Sequence, residues 1–279
     1  MNTDIEALAR KEHTLEETLR GYSSLIVAYS GGVDSSLLAF YARKVLSTNA
    51  RIVIALSPSL AQEELSAARD QAAKFAWDLV EIETHELQNP DYERNDEMRC
   101  YFCKKTLFSE LEEIARENKI ERIAYGANLD DRKDYRPGHK AASEFQIVSP
   151  LQEAGLTKDD IRELAKRAGL PSWDRPQAAC LASRFPTFQP VTLEGLSQVD
   201  RSEAYLHSLG FRQVRVRHYG ETAKVEIDKP ELARLTGDEG LTNQVIAQLN
   251  AFGYSKVIID PDGYRQGSAN TFLQAQESL

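Results

Sequence analysis

Apolar positions along the chain fall into short unbroken runs separated by longer amphipathic stretches. Leu25-Ile26-Val27-Ala28-Tyr29 is a continuous apolar run bounded by turn residues, the pattern of a strand buried on both faces. Ile52 to Leu56, Leu79 to Thr84 and Arg122 to Tyr125 repeat it, and the stretches between them read as helices: one through Leu46, an Ala-rich one from Ala61 to Trp77, and one from Lys104 to Asn118. A polar helix pattern from Met1 to Gly21, with Ile5, Leu8, Leu15 and Leu19 as its apolar contacts, precedes the first strand. Strands alternating with helices of this length predict a parallel sheet covered on both faces, with the loops at the strands' carboxyl ends gathered on one rim.

The texture changes near residue 150. Thr157-Lys158-Asp159-Asp160 resembles a capping box opening a helix to Ala168. Four of the ten prolines then fall between Pro171 and Pro190, which predicts a loop lying across the surface. Beyond it, Leu193 to Leu209 reads as a helix, and Gln213 to Tyr219 and Ala223 to Ile227 as paired strands. Helices over Pro230 to Leu235 and Thr242 to Phe252 and a last strand over Lys256 to Asp260 complete the pattern. The fold class expected is α/β: an N-terminal parallel-sheet domain over 1–170, a proline-rich active-site loop over 171–191, and a smaller α+β domain over 192–279, expected to bind substrate and to serve oligomerisation.

Composition narrows the function classes. The chain has 279 residues, 42% of them hydrophobic and 28% charged, with 34 Lys and Arg against 43 Asp and Glu for a net charge of −9. This is a globular composition, too apolar for a disordered chain. No apolar run approaches the roughly 20 residues of a membrane span, and the first residues are a charged helix pattern, so a cytoplasmic protein is expected. An acidic chain argues against non-specific nucleic-acid binding. Three cysteines in a chain of this size are not a disulfide framework; in a reducing compartment they point to metal or redox chemistry, or to burial.

The sharpest local signal is Ser30-Gly31-Gly32-Val33-Asp34-Ser35, lying between the first strand and a helix. Two glycines let the backbone turn tightly and approach an anion, and the helix that follows offers unpaired N–H groups and a positive dipole end. Ser30 and Ser35 add hydroxyls. Asp34 would repel phosphate directly, so its use is holding magnesium against phosphate oxygens. No lysine is present, so this is not a Walker loop. The string resembles the pyrophosphate loop of the N-type ATP pyrophosphatases, or PP-loop proteins, of adenine nucleotide α-hydrolase-like fold. The resemblance implies cleavage of ATP between the α- and β-phosphates, with adenine near Ala55 to Ser57 and near Gly126.

Cys100-Tyr101-Phe102-Cys103 is a CxxC ahead of the helix expected from Lys104, and Cys180 lies far downstream in the proline-rich segment. A helix N-terminus favours thiolate character. The pair fits a redox couple, half of a zinc site or two buried small residues. Zinc would want a fourth ligand, and no histidine lies near either segment. Three thiolates with no fourth protein ligand suit a [4Fe–4S] cluster with one iron open to an external ligand such as sulfide.

A basic patch stands out against the acidic background. Gly210 to Gly220 contains Arg212, Arg215, Arg217 and His218 and no acidic residue. Arg215 and Arg217 are two apart and share a strand face, a good receptor for phosphate or carboxylate unless Glu226 or Glu203 pairs with them. Arg184, four residues after Cys180, would bind an anion beside the thiol. Asp130, Asp131 and Asp134 read as a solvated face rather than as metal ligands.

These motifs occur in an ordered set: Ser30 to Ser35, Asp134-Tyr135-Arg136-Pro137-Gly138, Cys180-Leu181-Ala182-Ser183-Arg184-Phe185-Pro186, Val214-Arg215-Val216-Arg217 and Gly263-Tyr264-Arg265. The set resembles the LarE sulfurtransferases over nearly the whole chain. The resemblance implies adenylation, with ATP and magnesium, of the carboxylates of a pyridinium dicarboxylate mononucleotide. Oxygen is then replaced by sulfur, giving a precursor of the nickel pincer nucleotide cofactor. Cys180 matches the cysteine that some members sacrifice to dehydroalanine, and Arg215, Arg217 and Arg265 match the substrate pocket. Cys100 and Cys103 depart from the sacrificial pattern. Relatives with three cysteines carry a [4Fe–4S] cluster and deliver a cluster-bound sulfide, which implies repeated turnover with sulfide or a sulfur-donor protein recharging it. A homo-oligomer, a hexamer by family analogy, is implied as well. An iron–sulfur tRNA thiolase would need a basic surface that the −9 chain lacks. An ammonia-using synthetase would need no cysteines, and a non-catalytic nucleotide sensor would not cleave ATP to AMP.

Overall fold

The computed structural model describes residues 2–133, 137–176 and 179–265. The chain forms two compact units: 1–57, 64–86 and 100–178 in the first, and 58–63, 87–99 and 179–279 in the second. The second unit therefore takes in two early segments as well as the C-terminal part expected from the sequence. Asn95 shows why 87–99 belongs there. Its Nδ2 donates to the carbonyls of Pro186 and Gln189, both at 2.8 Å, and Arg99 Nη1 donates to Ala182 O at 2.7 Å.

The first unit is built on a four-stranded parallel sheet, β1 (Leu25–Tyr29), β2 (Ala50–Leu56), β3 (Leu79–Glu83) and β4 (Arg122–Tyr125), in the order β3-β2-β1-β4. Leu25, Ile26 and Val27 are fully buried, as an unbroken apolar run in a central strand requires. The connection from β1 runs to β2 on one side, while β4 lies on the other side of β1. The order thus reverses between β1 and β4, and the loop after β1 sits at this switch point, where open α/β sheets bind ligands. Helix Arg99–Asn118 begins five residues earlier than the pattern suggests, so Cys100 and Cys103 lie within the helix rather than ahead of it. A short helix over Pro137–Glu144 precedes the expected Lys158–Arg167 helix, whose Thr157–Asp160 capping box is fully formed.

The second unit carries a three-stranded sheet, β5 (Val214–Tyr219), β6 (Thr222–Ile227) and β7 (Lys256–Ile259). β5 and β6 are antiparallel, and β6 and β7 are parallel. Val214 and Val216 pack with Leu206, Phe211, Val225, Val245 and Leu249 in one core. Period-two alternation then sends Arg215 and Arg217 to the opposite face. The proline-rich segment is not a surface loop throughout: Leu181, Ala182, Phe185 and Val191 are buried. Among the described residues, no helix is long and apolar enough to cross a membrane.

Candidate functional site

The phosphate loop is fastened by its own hydroxyls. Ser35 Oγ accepts the Ser30 amide at 3.1 Å and donates to Gly32 O at 3.0 Å, and Ser36 Oγ donates to Gly31 O at 3.3 Å. Gly31 has φ +76°, and a Cβ there would meet Ala68 Cβ at 3.0 Å, so the turn requires glycine. Gly32 caps helix Val33–Leu46 without a side-chain hydrogen bond. The first-turn amides are thereby left to an anion.

Asp34 is the loop's unusual member. Its Oδ2 lies 2.5 Å from Lys158 Nζ, while its Oδ1 is buried with no hydrogen-bond partner. Burial raises the carboxyl's pKa above the ordinary range, against the opposing influence of the Lys158 charge and the neighbouring Asn128 amide. A buried carboxylate oxygen left unpartnered beside a phosphate loop fits a hard cation such as Mg2+. The sequence pattern does not mark Lys158. It is the first residue of a capped helix, held by its amide to Asp130 Oδ2 at 2.9 Å. Asp131 Oδ2 takes the Asn128 amide at 3.0 Å. The acidic pair thus orders the loop after β4; Asp134 lies outside the described residues.

Two clefts open from this loop and share Ser30, Gly32 and Asp34. One, of about 570 Å3, is cationic, with Lys158, Arg162 and Arg175 on its wall, Arg175 paired to Glu64 at 2.7 Å. The other, of about 580 Å3, is lined by Ala28, Leu107, Phe108, Tyr125 and Gly126, with Lys104 Nζ 4.6 Å from the Tyr125 ring centroid. The pair offers a cationic side for phosphates and an apolar side for a ring. Gly126 has a steric reason of its own: a Cβ would stand 2.7 Å from the Ser35 amide nitrogen. Ser57, expected near adenine, donates its hydroxyl to the buried Glu86.

Cys100 is exposed and Cys103 half-buried in the first unit, while Cys180, exposed, belongs to the second. Cys100 and Cys103 are three apart on one helix and face the same side. They suit two corners of a cluster. Among the described residues, no three His, Cys, Asp or Glu side chains gather as a metal site.

In the second unit, the arginines lie within a buried charge network. Arg217 Nε pairs with Glu226 Oε2 at 2.9 Å, and Lys224 Nζ with Asp260 Oδ2 at 2.6 Å. Arg215 sits 5.5 Å from the Tyr264 ring centroid, and burial, followed by the charge of Arg184, pulls its pKa down. Arg265, exposed, pairs with Asp262 at 2.8 Å and reaches Asp260 at 3.4 Å. Arg215 and Arg217 share one face, as their spacing predicts. Arg184 is placed differently from the expected anion receptor. It is 3% exposed, forked onto Glu203 at 2.9 and 2.7 Å, with Nη1 on the carbonyls of Ala179 and Cys180.

A glycine-rich loop at the switch point of a parallel sheet, with a cation-lined cleft and an unsatisfied aspartate, defines the PP-loop class of nucleotide-binding proteins. A glutamine-hydrolysing GMP synthase component of Thermoplasma volcanium is 25% identical over 184 residues, covering 61% of this chain and 58% of that one. No family model matches the chain. An uncharacterised protein of Synechocystis sp. is 39% identical over 95% of this chain and 99% of its own length. The pyridinium-3,5-bisthiocarboxylic acid mononucleotide synthase of Lactiplantibacillus plantarum is 35% identical, over 96% and 97%. The chain belongs to the LarE family of ATP-dependent sulfurtransferases.

Proposed function

We propose that this protein adenylates a carboxylate of pyridinium-3,5-biscarboxylic acid mononucleotide and replaces oxygen by sulfur, making the thiocarboxylate precursor of the nickel pincer cofactor. The observation that carries the reading is Asp34, whose buried, unpartnered Oδ1 stands at a phosphate loop beside Lys158. The loop amides with Lys158, Arg162 and Arg175 receive the β- and γ-phosphates. A substrate carboxylate oxygen attacks the α-phosphorus and pyrophosphate leaves. A sulfur nucleophile then attacks the acyl carbon and AMP departs. Asp34 would hold Mg2+, which when bound neutralises charge on the phosphate oxygens. Arg215, Arg217 and Arg265 would receive the mononucleotide's phosphate and carboxylate.

Cys100, Cys103 and Cys180 would ligate a [4Fe–4S] cluster, which when bound supplies the transferable sulfide. The reading extends to a cytoplasmic homo-oligomer, recharged by sulfide or a donor protein, with no nucleic-acid or membrane partner; the acidic charge supports the exclusion of RNA.

The test is anaerobic incubation of reconstituted protein with ATP, Mg2+ and the mononucleotide. AMP, pyrophosphate and thiocarboxylate are expected in equal amounts, with more than one turnover when sulfide is added. About four irons per chain, lost in Cys100→Ala, are expected from the cluster. AMP without thiocarboxylate would overturn the sulfur-transfer reading. One sulfur per chain with Cys180 left as dehydroalanine, or tightly bound zinc, would overturn the cluster.

A further inference from the structure

One face of the helix Gln62–Lys74 packs against the phosphate loop. Glu64, Ala68 and Gln71 are four and three residues apart and share that face. Ala68 lies against Gly31, where an added Cβ would meet it at 3.0 Å. Glu64 takes the Arg175 guanidinium at 2.7 Å. Gln71, 3% exposed, reaches both the loop and the segment that carries Arg175. Its Nε2 donates to the Tyr29 hydroxyl at 2.9 Å and to Ser36 Oγ at 2.7 Å, and its Oε1 accepts the Ser172 amide at 3.3 Å. A backbone N–H can only donate, so Ser172 fixes which end of the side chain is the oxygen. Both hydroxyls accept from Gln71 and pass their own protons on, Tyr29 to Ala68 O at 3.4 Å and Ser36 to Gly31 O at 3.3 Å.

The two ends of Gln71 lead to two walls of the cationic cleft. Through Ser36, the nitrogen end holds the Gly31 carbonyl inward. In a trans peptide this turns the Gly32 N–H the opposite way, out of the core. The oxygen end holds the turn Pro171–Asp174, which Arg175 follows directly. Arg162 braces the same turn, with Nη1 on Trp173 O at 3.1 Å and Nη2 on Arg175 O at 3.3 Å. Gly32 and Arg175 line one cleft, while Gln71 is buried behind it. We propose that Gln71 is a positioning residue for the phosphate site, setting the Gly32 amide and Arg175 at one fixed separation so that both meet the same pyrophosphate group. Glu64 does not do this alone, because it holds the tip of Arg175 and not its backbone. The gain is preorganisation: donors already in place for the phosphate oxygens need no rearrangement when the ligand arrives. The inference rests on the reading of this loop as the seat of the ATP phosphates, and on no later step of the reaction.

The test is isothermal titration of the full-length chain with three probes in Mg2+: ATP, inorganic pyrophosphate, and AMP, which lacks the β- and γ-phosphates. Gln71→Met keeps the side-chain volume and removes every hydrogen bond of the amide. It is expected to weaken pyrophosphate and ATP about ten-fold or more, with AMP changed by less than about two-fold. A purely structural glutamine would not separate the probes in this way. Ser36→Ala deletes only the relay to Gly31 and is expected to weaken pyrophosphate about three-fold or more by itself. Added to Gln71→Met, it is expected to cost less than about two-fold further, because the relay is already broken. Should Gln71→Met not fold by circular dichroism, Ser36→Ala carries the same comparison of probes. Wild-type pyrophosphate affinity in the folded variants, or equal losses for pyrophosphate and AMP, would overturn the proposal. Wild-type protein that binds no ATP would instead sink the reading of the loop. The measurement needs neither mononucleotide nor sulfur, so a failed sulfur-transfer assay leaves its result standing.

Discussion

Lys158 Nζ lies 2.5 Å from Asp34 Oδ2, joining the first turns of two helices more than a hundred residues apart in the chain. The ammonium sits where a cation would otherwise balance the carboxylate, while Oδ1 has no partner. Lys158→Met leaves Asp34 without its charge partner. Both side chains are partly exposed, so the cost falls below that of a fully buried pair, at about 1–2 kcal/mol. Lys158→Met combined with Asp34→Asn is expected to recover most of the loss in urea denaturation, because no unpaired charge remains. Both the single and the double variant are expected to lose AMP formation by at least about a hundred-fold. Recovered stability with unrecovered activity separates the structural role of the pair from its chemical one.

Gly126 approaches the Ser35 amide more closely than any Cβ permits. Gly126→Ala pushes the end of β4 away from the phosphate loop, at a cost of about 1–3 kcal/mol from overpacking. Because the strained contact is with the loop's own amide, ATP affinity is expected to fall along with stability. Isothermal titration with ATP and Mg2+ checks this. Wild-type affinity in a destabilised variant would show that the loop does not feel the strand end.

Which of these features could be read from the sequence follows from the range of each interaction. The run Leu25 to Tyr29 and the loop Ser30 to Ser35 are contiguous, so strand, turn and anion site are visible in one window. Lys158 is visible only as part of a cap, because Thr157 and Asp160 define where the helix starts and carry no information about what its first side chain reaches. Arg184 looks like an anion receptor until Glu203 and two carbonyls are folded around it. The early start of the Arg99–Asn118 helix does have a local sign in Asp96, whose Oδ1 accepts the Met98 amide at 2.8 Å. Assignment of 58–63 and 87–99 to the second unit depends on contacts such as Asn95 with Pro186, and no local pattern encodes those.

Arg217 stands opposite Lys224 in the β5–β6 register and reaches diagonally to Glu226, and the ion pair so formed is almost fully enclosed. Arg217→Met takes the closest counter-charge from a carboxylate with no exposure, whose other oxygen lies 3.5 Å from Lys224 Nζ, and costs about 3 kcal/mol. Arg217→Met with Glu226→Leu removes both charges. Lys224 keeps Asp260 at 2.6 Å, so no new orphan appears, and most of the stability is expected to return. Circular dichroism in urea measures both. If the network is also the substrate pocket, the double variant stays folded yet fails to bind the mononucleotide. A double variant no more stable than Arg217→Met would show that Glu226 is satisfied by other groups.

His218 is buried against Phe185, with ring centroids 4.6 Å apart, and its Nδ1 lies 3.1 Å from the Tyr254 hydroxyl. Burial pulls its pKa down from 6.5 to about 4. The unfolded chain therefore takes up a proton at this histidine as pH falls through 6.5, and the folded chain takes it only near 4. Between those values the unfolded state binds more protons, so folding stability falls with falling pH; above the window, and below it, this residue contributes no slope. The full effect is about 3 kcal/mol. His218→Gln carries no titrating ring. The stability advantage of the wild type over this variant is expected to be constant above about pH 7 and to shrink by about that amount between pH 6.5 and 4, measured by urea denaturation across the range. Parallel curves for the two proteins would show that His218 remains protonatable in the folded state at its ordinary pKa.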